Sequence, residues 1–192
     1  MAKNTMDSEK TEKKPFKLAW GITGAGDLLP EIFEVMTELQ ATGTMEITAI
    51  LSKAAEQVIK MYRLWDTLET IAHRIMIEKN ANSPFVVGAL QTGKYDTLLV
   101  APVTGNSAAK IVHGISDSLL TNVVSMTNRT KTKIYLLPVE HAGNEVNTTL
   151  PDGSKLELLT RDLDASNTNK LRNMKGITVL DNPEEIKGAL KN

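Results

Sequence analysis

With 192 residues, 41% of them hydrophobic, the chain has enough apolar material for one core of ordinary size, so we expect a single domain. Its 22 lysines and arginines against 23 acidic residues give a net charge of -1, without the positive field that attracts nucleic acid. The absence of cysteine excludes disulfides and cysteine nucleophiles, so redox chemistry requires a bound organic cofactor. No apolar run approaches the ~20 residues of a membrane-spanning helix, and we expect a cytoplasmic protein with no membrane partner.

The N-terminal residues differ in composition from the rest of the chain. They are almost wholly polar, with alternating lysine, glutamate and aspartate, and they lack the apolar segment of a secretory signal. We expect residues 1–15 to be a disordered tail whose charges serve solvation, and residues 16–192 to form the folded domain.

A glycine-rich turn follows the first predicted strand. That strand, Phe16 to Ile22, is apolar enough to be central and buried on both faces. The turn is Thr23-Gly24-Ala25-Gly26-Asp27, and it precedes a helix whose apolar spacing extends to about Gln40. Glycine lets the backbone approach an anion at a helix N-terminus, so the turn predicts a phosphate site, with a plain connecting turn as the alternative.

Better-known nucleotide motifs do not match the chain. A dinucleotide fingerprint would need a third glycine where Leu29 stands and an acidic residue at the end of the second strand. The Tyr-x-x-x-Lys pair of short-chain dehydrogenases is absent, and a P-loop fails because Tyr95 follows Gly93-Lys94. A plain NAD site is therefore disfavoured.

The second predicted strand, Met45 to Leu51, delivers two polar residues to the same edge of the sheet. Ser52 can donate its hydroxyl to a phosphate or cap the next helix, and Lys53 adds positive charge. Helices are predicted over Ala54 to Tyr62 and over Leu64 to Ile75.

A polar turn also follows the third predicted strand. The strand, Thr97 to Ala101, runs through Pro102 towards a helix over about Asn106 to Asn128, broken near Gly114. In open α/β sheets, ligands lie beyond the carboxyl ends of the strands, where helix N-termini offer unpaired N–H groups. We therefore expect a ligand shelf formed by Ala101, Pro102, Val103, Thr104, Asn106 and Ser107.

The remaining elements complete an alternating pattern. They are a polar loop over Asn80 to Phe85, a helix to about Gln91, a strand over Lys133 to Pro138, a hairpin over Thr148 to Leu158, a helix over Asn167 to Asn173, a strand over Ile177 to Leu180 and a helix over Pro183 to Leu190. The alternation predicts an α/β domain of three layers, αβα, with a parallel twisted sheet and a β-hairpin insertion.

No set of catalytic side chains is evident. The histidines, His73, His113 and His141, lack metal-ligand spacing, so no metal is expected, and only His141, after a strand, is a candidate proton donor. Asp162 and Asp164 fall in a predicted polar connection, where solvation explains them. With the catalytic residues left unknown, the pattern favours a cofactor that carries its own chemistry.

The loop, Ser52 and the shelf together resemble a flavin-binding signature. The residues that carry this resemblance are Gly21-Ile22-Thr23-Gly24, Ser52, Ala101 to Ile111 and Gly114-Ile115-Ser116-Asp117. They are similar to those of the homo-oligomeric flavin-containing cysteine decarboxylase superfamily, over Lys17 to Ile186. Three segments also resemble the archaeoflavoprotein A and dihydromethanopterin reductase branch of that superfamily: Trp20 to Gly24, Asn80 to Phe85 and Leu90 to Asp96.

The resemblance implies a flavodoxin-like or Rossmann-like parallel sheet and FMN held without covalent attachment. It also implies a homotrimer or a multiple of trimers with the flavin near a subunit interface. In matching positions, the FMN phosphate would be held by Gly24, Ala25, Gly26 and Ser52. The ring and ribityl chain would be lined by Pro102, Val103, Thr104, Asn106 and Ser107. Thr23, Lys53 and Ala101 complete the predicted cofactor site.

The chain departs from the decarboxylases of that superfamily. They carry a histidine before the shelf strand, where Phe85 to Asp96 contains none, and a Pro-Ala-Met-Asn clamp, where this chain has Pro138-Val139-Glu140-His141. They have alanine where Gly105 stands, which keeps this site small. We therefore expect an FMN-dependent oxidoreductase that passes a hydride to a pterin such as dihydromethanopterin. An electron-transfer flavoprotein that docks ferredoxin or another redox protein is the alternative, and a flavin-dependent decarboxylase or prenyltransferase is a third.

Overall fold

The computed structural model describes residues 14–140 and 145–191. The predicted tail, apart from residues 14 and 15, lies outside these ranges, and so does His141. The strands are β1 (Phe16–Ile22), β2 (Met45–Leu51), β3 (Arg74–Ile77), β4 (Thr97–Val103), β5 (Lys133–Pro138), β6 (Glu145–Thr149), β7 (Lys155–Leu159) and β8 (Ile177–Val179). The helices are α1 (Leu29–Ala41), α2 (Lys53–Met61), α3 (Trp65–Ile71), α4 (Val87–Gln91), α5 (Gly105–Val112), α6 (Leu119–Thr127), α7 (Asp162–Arg172) and α8 (Glu185–Ala189).

The main sheet has six parallel strands in the order β3-β2-β1-β4-β5-β8. β1 is central, as the sequence predicts, and the order of chain connection reverses between β1 and β4. This is the strand order of Rossmann-type sheets, in which ligands bind at the reversal point. The predicted hairpin insertion is also confirmed, because β6 and β7 pair in an antiparallel sheet of their own.

Helices cover both faces of the main sheet, which confirms the three-layer prediction. One core lies between the sheet and α1, α2, α3 and α8, and the other lies between the sheet and α4, α5, α6 and α7. Side chains of β1 alternate between the two cores, with Trp20 in the first and Ala19 in the second. Trp20 is fully buried and packs edge-on against Phe33 of α1.

The prediction is wrong in two segments. The helix expected to reach Ile75 ends at Ile71, and β3 follows it as an edge strand paired with β2. Four residues are too few for periodicity to separate strand from helix, so pairing with β2 decides the structure. The connection expected around Asp162 and Asp164 is instead the first turn of α7, where acidic side chains interact favourably with the helix dipole.

Two other elements are sharpened by the structure. The predicted break near Gly114 is real, and it separates α5 from α6. The shelf strand extends beyond Ala101 as far as Val103. No helix among residues 14–140 and 145–191 has the length and apolar character needed to cross a bilayer.

Candidate functional site

The ends of β1 and β4 are joined by Thr23 at the point where the sheet order reverses. The Thr23 hydroxyl donates to the Pro102 carbonyl at 2.8 Å and accepts from the Thr104 N–H at 2.9 Å. The Thr23 N–H also donates to Pro102, at 3.2 Å. Because Thr23 is only 3% exposed, these bonds fix the glycine-rich loop and the shelf relative to each other in a site of low solvent access.

The regular pairing of β4 with β5 is interrupted between Val100 and Val103. The backbone carbonyls in this interval accept hydrogen bonds from other parts of the chain. The carbonyl of Ala101 accepts from the Trp20 indole N–H at 2.8 Å, and that of Pro102 accepts from Thr23. The buried backbone groups of the irregular segment are thereby satisfied. These bonds tie the end of β4 to β1 and to the residue that follows it.

The shelf ends in the N-terminus of α5. Thr104 is its N-cap, and its hydroxyl accepts from the Ser107 N–H at 3.2 Å and donates to the Ser107 hydroxyl at 3.0 Å. The Asn106 side chain is exposed at the second position of the helix. The shelf therefore offers the positive end of a helix and an available amide side chain.

The glycine-rich loop lies against the start of α2. A Cβ on Gly24 would be 2.5 Å from the Ala54 Cβ, and one on Gly26 would overlap the Tyr62 hydroxyl. Tyr62 in turn donates to the Thr149 carbonyl at 2.9 Å, so the loop and the β6–β7 hairpin meet at this side chain. Side chains at the two glycine positions are excluded by packing, which leaves the loop backbone as the surface available to a ligand.

Ser52 and Lys53 arrive at the same edge, as predicted. The Ser52 N–H donates to the Ile22 carbonyl at 3.0 Å, and its hydroxyl caps α2 by accepting from the Ala55 N–H at 3.0 Å. Lys53 is exposed at the first position of the helix. The structure therefore brings the predicted residues into two groups, the loop with α2 and the shelf with α5, which are joined through Thr23.

Glu78 is a polar residue of this edge that the sequence analysis missed. It follows β3, and its carboxylate accepts from the N–H groups of Lys53 at 3.3 Å and Leu119 at 2.8 Å. It thereby caps the first turns of both α2 and α6. The signal for it was hidden because the sequence analysis extended a helix into the beginning of β3 and predicted no strand before Glu78.

Three carboxyl groups also gather near the shelf. Glu140 lies two residues beyond β5, Asp27 closes the glycine-rich loop, and Asp164 is in the first turn of α7. A Cβ on Gly105 would be 2.8 Å from Asp164 Oδ1 and 3.0 Å from Glu140 Oε1. Since parallel strands end at one edge, the position of Glu140 after the strand beside the shelf was a usable signal.

The pKa of Glu140 is raised above its ordinary value. Burial is the largest cause, and the negative charges of Asp164 and Asp27 add to it, while hydrogen bonding by the Gly105 backbone acts in the opposite direction. Arg161 is held by Asp164 through bonds of 2.6 Å and 3.0 Å. Its charge is therefore engaged mainly with Asp164 and interacts more weakly with Glu140.

The raised pKa of Glu140 predicts a pH-dependent change in stability. The unfolded chain releases this proton near pH 4.5, whereas the folded chain keeps it to higher pH, so folding stability falls as the pH rises through that window. We expect Glu140→Gln to be more stable than the parent at neutral pH, with the difference lost below pH 4.5. Urea denaturation at both pH values measures this, and an equal difference at both would contradict it.

The histidines do not converge on this edge within the described residues. His73 is exposed and accepts from the Ile47 N–H at 3.2 Å through Nδ1, and His113 is exposed at the C-terminus of α5. His141 lies outside the described residues, so its role as a proton donor stays a prediction. Residues 14–140 and 145–191 contain no group of histidine and acidic side chains that could hold a metal ion.

The fold defines a doubly wound α/β protein, and its candidate binding site is at the reversal of its sheet. Comparison of the sequence with protein families identifies the family of this protein. The family described as Flavoprotein matches residues 6–192, and the chain belongs to it. The prediction of a flavoprotein is thereby confirmed.

Two curated proteins of Methanocaldococcus jannaschii are similar over most of the chain. The uncharacterized protein MJ0730 is 48% identical, over 91% of this chain and 94% of its own. A protein named dihydromethanopterin reductase (acceptor) is 30% identical, over 88% of this chain and 94% of its own. The similarity to the second protein agrees with the branch that the sequence resembles.

A solved structure is similar in both sequence and fold. Burkholderia xenovorans DmrB in complex with FMN, described as a cubic protein cage for redox transfer, superposes with a TM-score of 0.78 and 29% identity. The match covers 93% of this chain and 95% of that one. The shared fold therefore spans nearly the whole length of both chains.

Proposed function

We propose that the chain is an FMN-dependent oxidoreductase that passes a hydride from reduced flavin to a pterin of the dihydromethanopterin type. The observation that carries this proposal is the joining of the glycine-rich loop to the shelf through Thr23, in a member of the Flavoprotein family. The pterin is supported by the relative named dihydromethanopterin reductase. The folded domain over residues 16–192 is the flavin-binding unit.

The residues of the edge fit FMN chemically. The loop backbone at Gly24 and Gly26 can approach a phosphate because neither residue carries a side chain of its own, and the nearby start of α2 adds the positive end of a helix dipole. Asp27 Oδ1 is buried without a hydrogen-bond partner among the described residues, and a ribityl hydroxyl is a donor of the right kind.

The proposed roles follow the two groups of residues. The phosphate is held by Thr23, Gly24, Ala25, Gly26, Ser52 and Lys53, and the ring and ribityl chain are lined by Ala101, Pro102, Val103, Thr104, Asn106 and Ser107. FMN, when bound, supplies the hydride chemistry. The chain itself orients the ring through its rigid strand ends and limits the access of water.

We further propose that the protein assembles as a homotrimer or a multiple of trimers. Large apolar side chains are exposed on the single chain, among them Phe85 at 79%, Leu159 at 78% and Met61 at 61%. Apolar side chains of this size in solvent favour burial against another subunit. The cage described for DmrB supports the same conclusion.

The test of the activity is anaerobic. The purified chain is loaded with FMN and reduced, and the visible absorbance of oxidised flavin is followed after adding either a dihydropterin or an oxidised ferredoxin. We expect reoxidation by the dihydropterin with formation of the tetrahydropterin. Reoxidation by ferredoxin alone would replace the pterin reductase with the electron-transfer alternative, and failure to retain FMN would overturn both.

The test of the site is a side-chain truncation. Asn106 is exposed at the shelf, so Asn106→Ala should leave folding stability within about 0.5 kcal/mol while weakening FMN binding. Loss of a hydrogen bond to a ligand corresponds to roughly a tenfold loss of affinity. Asn169→Ala, at an exposed position of α7, is the matched control and should bind FMN as the parent does. Equal affinities for all three proteins would show that the shelf is misplaced.

A further inference from the structure

We propose that Glu140 is the proton donor of the reduction, holding a proton beside the shelf and delivering it to the substrate nitrogen. This inference rests on the proposed function, in which a C=N bond of a pterin is reduced. The one proton donor suggested by the sequence, His141, lies outside the described residues. The inference therefore assigns a catalytic acid within them.

The position of Glu140 is set by the ends of two neighbouring strands. The Val139 N–H donates to the Val103 carbonyl at 3.1 Å, which continues the pairing of β5 with β4 to the edge of the sheet. The next residue, Glu140, is fixed by its own carbonyl, which accepts from the Thr168 hydroxyl of α7 at 2.7 Å. Glu140 is therefore held from both sides next to Gly105, the first residue of α5.

Gly105 and the carboxyl groups depend on each other. A methyl group at position 105 would lie 3.0 Å or less from oxygen atoms of both Asp164 and Glu140. The glycine therefore leaves the space that the two carboxyl groups occupy.

The charged groups that face Glu140 come from each element packed against it. Asp164 and Arg161 lie at the start of α7, and Asp27 lies after β1. Arg161 is engaged by both carboxylate oxygens of Asp164. Between two carboxylates and partly buried, Glu140 keeps its proton to a pH above its ordinary value.

Two unpartnered polar groups show that this region is prepared for a polar ligand. Glu140 Oε2 is buried and has no hydrogen-bond partner among the described residues. Asn167, one turn after Asp164 on the same buried face of α7, is 1% exposed, and neither of its amide atoms is paired within that part of the chain. Buried polar groups without partners are costly, which favours a ligand that pairs with them.

The chemistry of the reduction balances with one acid. The π bond of the C=N group would break as its carbon receives the hydride that FMN, once reduced, would supply, and its nitrogen would receive the proton from Glu140. Glu140 is left as a carboxylate and recovers a proton from water before the next turnover. A positioned acid contributes about 10²–10⁴-fold to such a transfer.

The first measurement is independent of activity. The carboxyl carbon of Glu140 is followed by NMR during a pH titration of the full chain as purified, and its signal is assigned by its loss in Glu140→Gln. We expect a midpoint above 4.5, and a lower midpoint in Asp164→Asn, which removes one neighbouring negative charge. A midpoint at or below 4.5 in the parent would overturn the inference.

The second measurement is the pH profile of flavin reoxidation by a dihydropterin. The rate of the parent should fall at high pH, where Glu140 ionises. In Asp164→Asn the same fall should begin at a lower pH than in the parent. Glu140→Gln should be about 100-fold slower than the parent and should not show the fall. Glu140→Gln should still retain FMN, and urea denaturation at neutral pH, where we expect it to be more stable than the parent, checks that it folds. If the parent reduces the pterin and Glu140→Gln matches it, Glu140 is not the donor. If the parent does not reduce the pterin, the proposed function fails instead, while the NMR midpoint still reports on Glu140.

Discussion

Replacing Gly24 by alanine is expected to destabilise the protein by about 1–3 kcal/mol and to weaken FMN binding by roughly tenfold or more. The new Cβ would lie 2.5 Å from the Ala54 Cβ, a separation that forces the loop or α2 to move. Because the loop backbone is the proposed phosphate site, the same displacement disturbs both properties. Urea denaturation and FMN titration of the variant measure the two effects.

Gly188→Ala is the matched control for this substitution. A Cβ at position 188 meets nothing within 4 Å, and the residue lies in α8. Alanine is favoured over glycine inside a helix by about 0.5–1 kcal/mol, so the control should be stabilised or unchanged and should bind FMN as the parent does. Similar losses in both variants would show that the close contact with Ala54 is not the cause.

The contact can be relieved from its other side. Ala54→Gly removes the methyl group that the Gly24→Ala side chain would strike, at a cost of about 0.5–1 kcal/mol for glycine within α2. The double variant should therefore bind FMN more tightly than Gly24→Ala alone. An interaction energy of about 0.5–3 kcal/mol is expected from the four proteins, and additive losses would argue against a direct clash.

Thr23→Val is expected to cost about 1–3 kcal/mol of folding stability and to lower FMN affinity. Valine keeps the shape of threonine but cannot accept from the Thr104 N–H or donate to the Pro102 carbonyl. The Thr104 donor is left unpaired in a site with little water, and the loop is no longer bonded through this side chain to the shelf. Chemical denaturation and FMN titration again provide the measurements.

The control for Thr23→Val uses an exposed threonine. The Thr37 hydroxyl in α1 donates to the Phe33 carbonyl at 2.7 Å, one turn earlier in the same helix, and its side chain faces solvent. Thr37→Val should change stability by less than about 0.5 kcal/mol and should leave FMN binding unaffected. If Thr23→Val behaves like this control, the loop and shelf are held together by something other than the Thr23 hydroxyl.

Glu140 illustrates a site residue whose role depends on distant parts of the chain. In the sequence it appeared only within Pro138-Val139-Glu140-His141, where it marked a departure from the decarboxylases. Its neighbours Asp27 and Asp164 are far apart in the sequence, and burial is the largest cause of its raised pKa. Neither the burial nor the proximity of like charges has a local signal.

The sequence by itself determined the features that rest on local backbone chemistry. Glycine at positions 24 and 26, the capping residue Ser52 and the Pro-Asp-Gly turn of the hairpin each satisfy a requirement within a few residues. The apolar strand Phe16 to Ile22 could be placed at the centre because burial on both faces requires an uninterrupted apolar run. These features predicted the fold class, and they predict the two halves of the proposed flavin site.

Only the tertiary structure decided how those halves are joined. Thr23 bonds to residues 79 and 81 positions away, and such bonds depend on which strand ends meet in the sheet. The four residues of β3 form a strand because β2 offers an edge to pair with, and local periodicity cannot report that edge. Contacts between segments distant in sequence depend on the whole fold, so Thr23, β3 and the surroundings of Glu140 became visible only with the assembled chain.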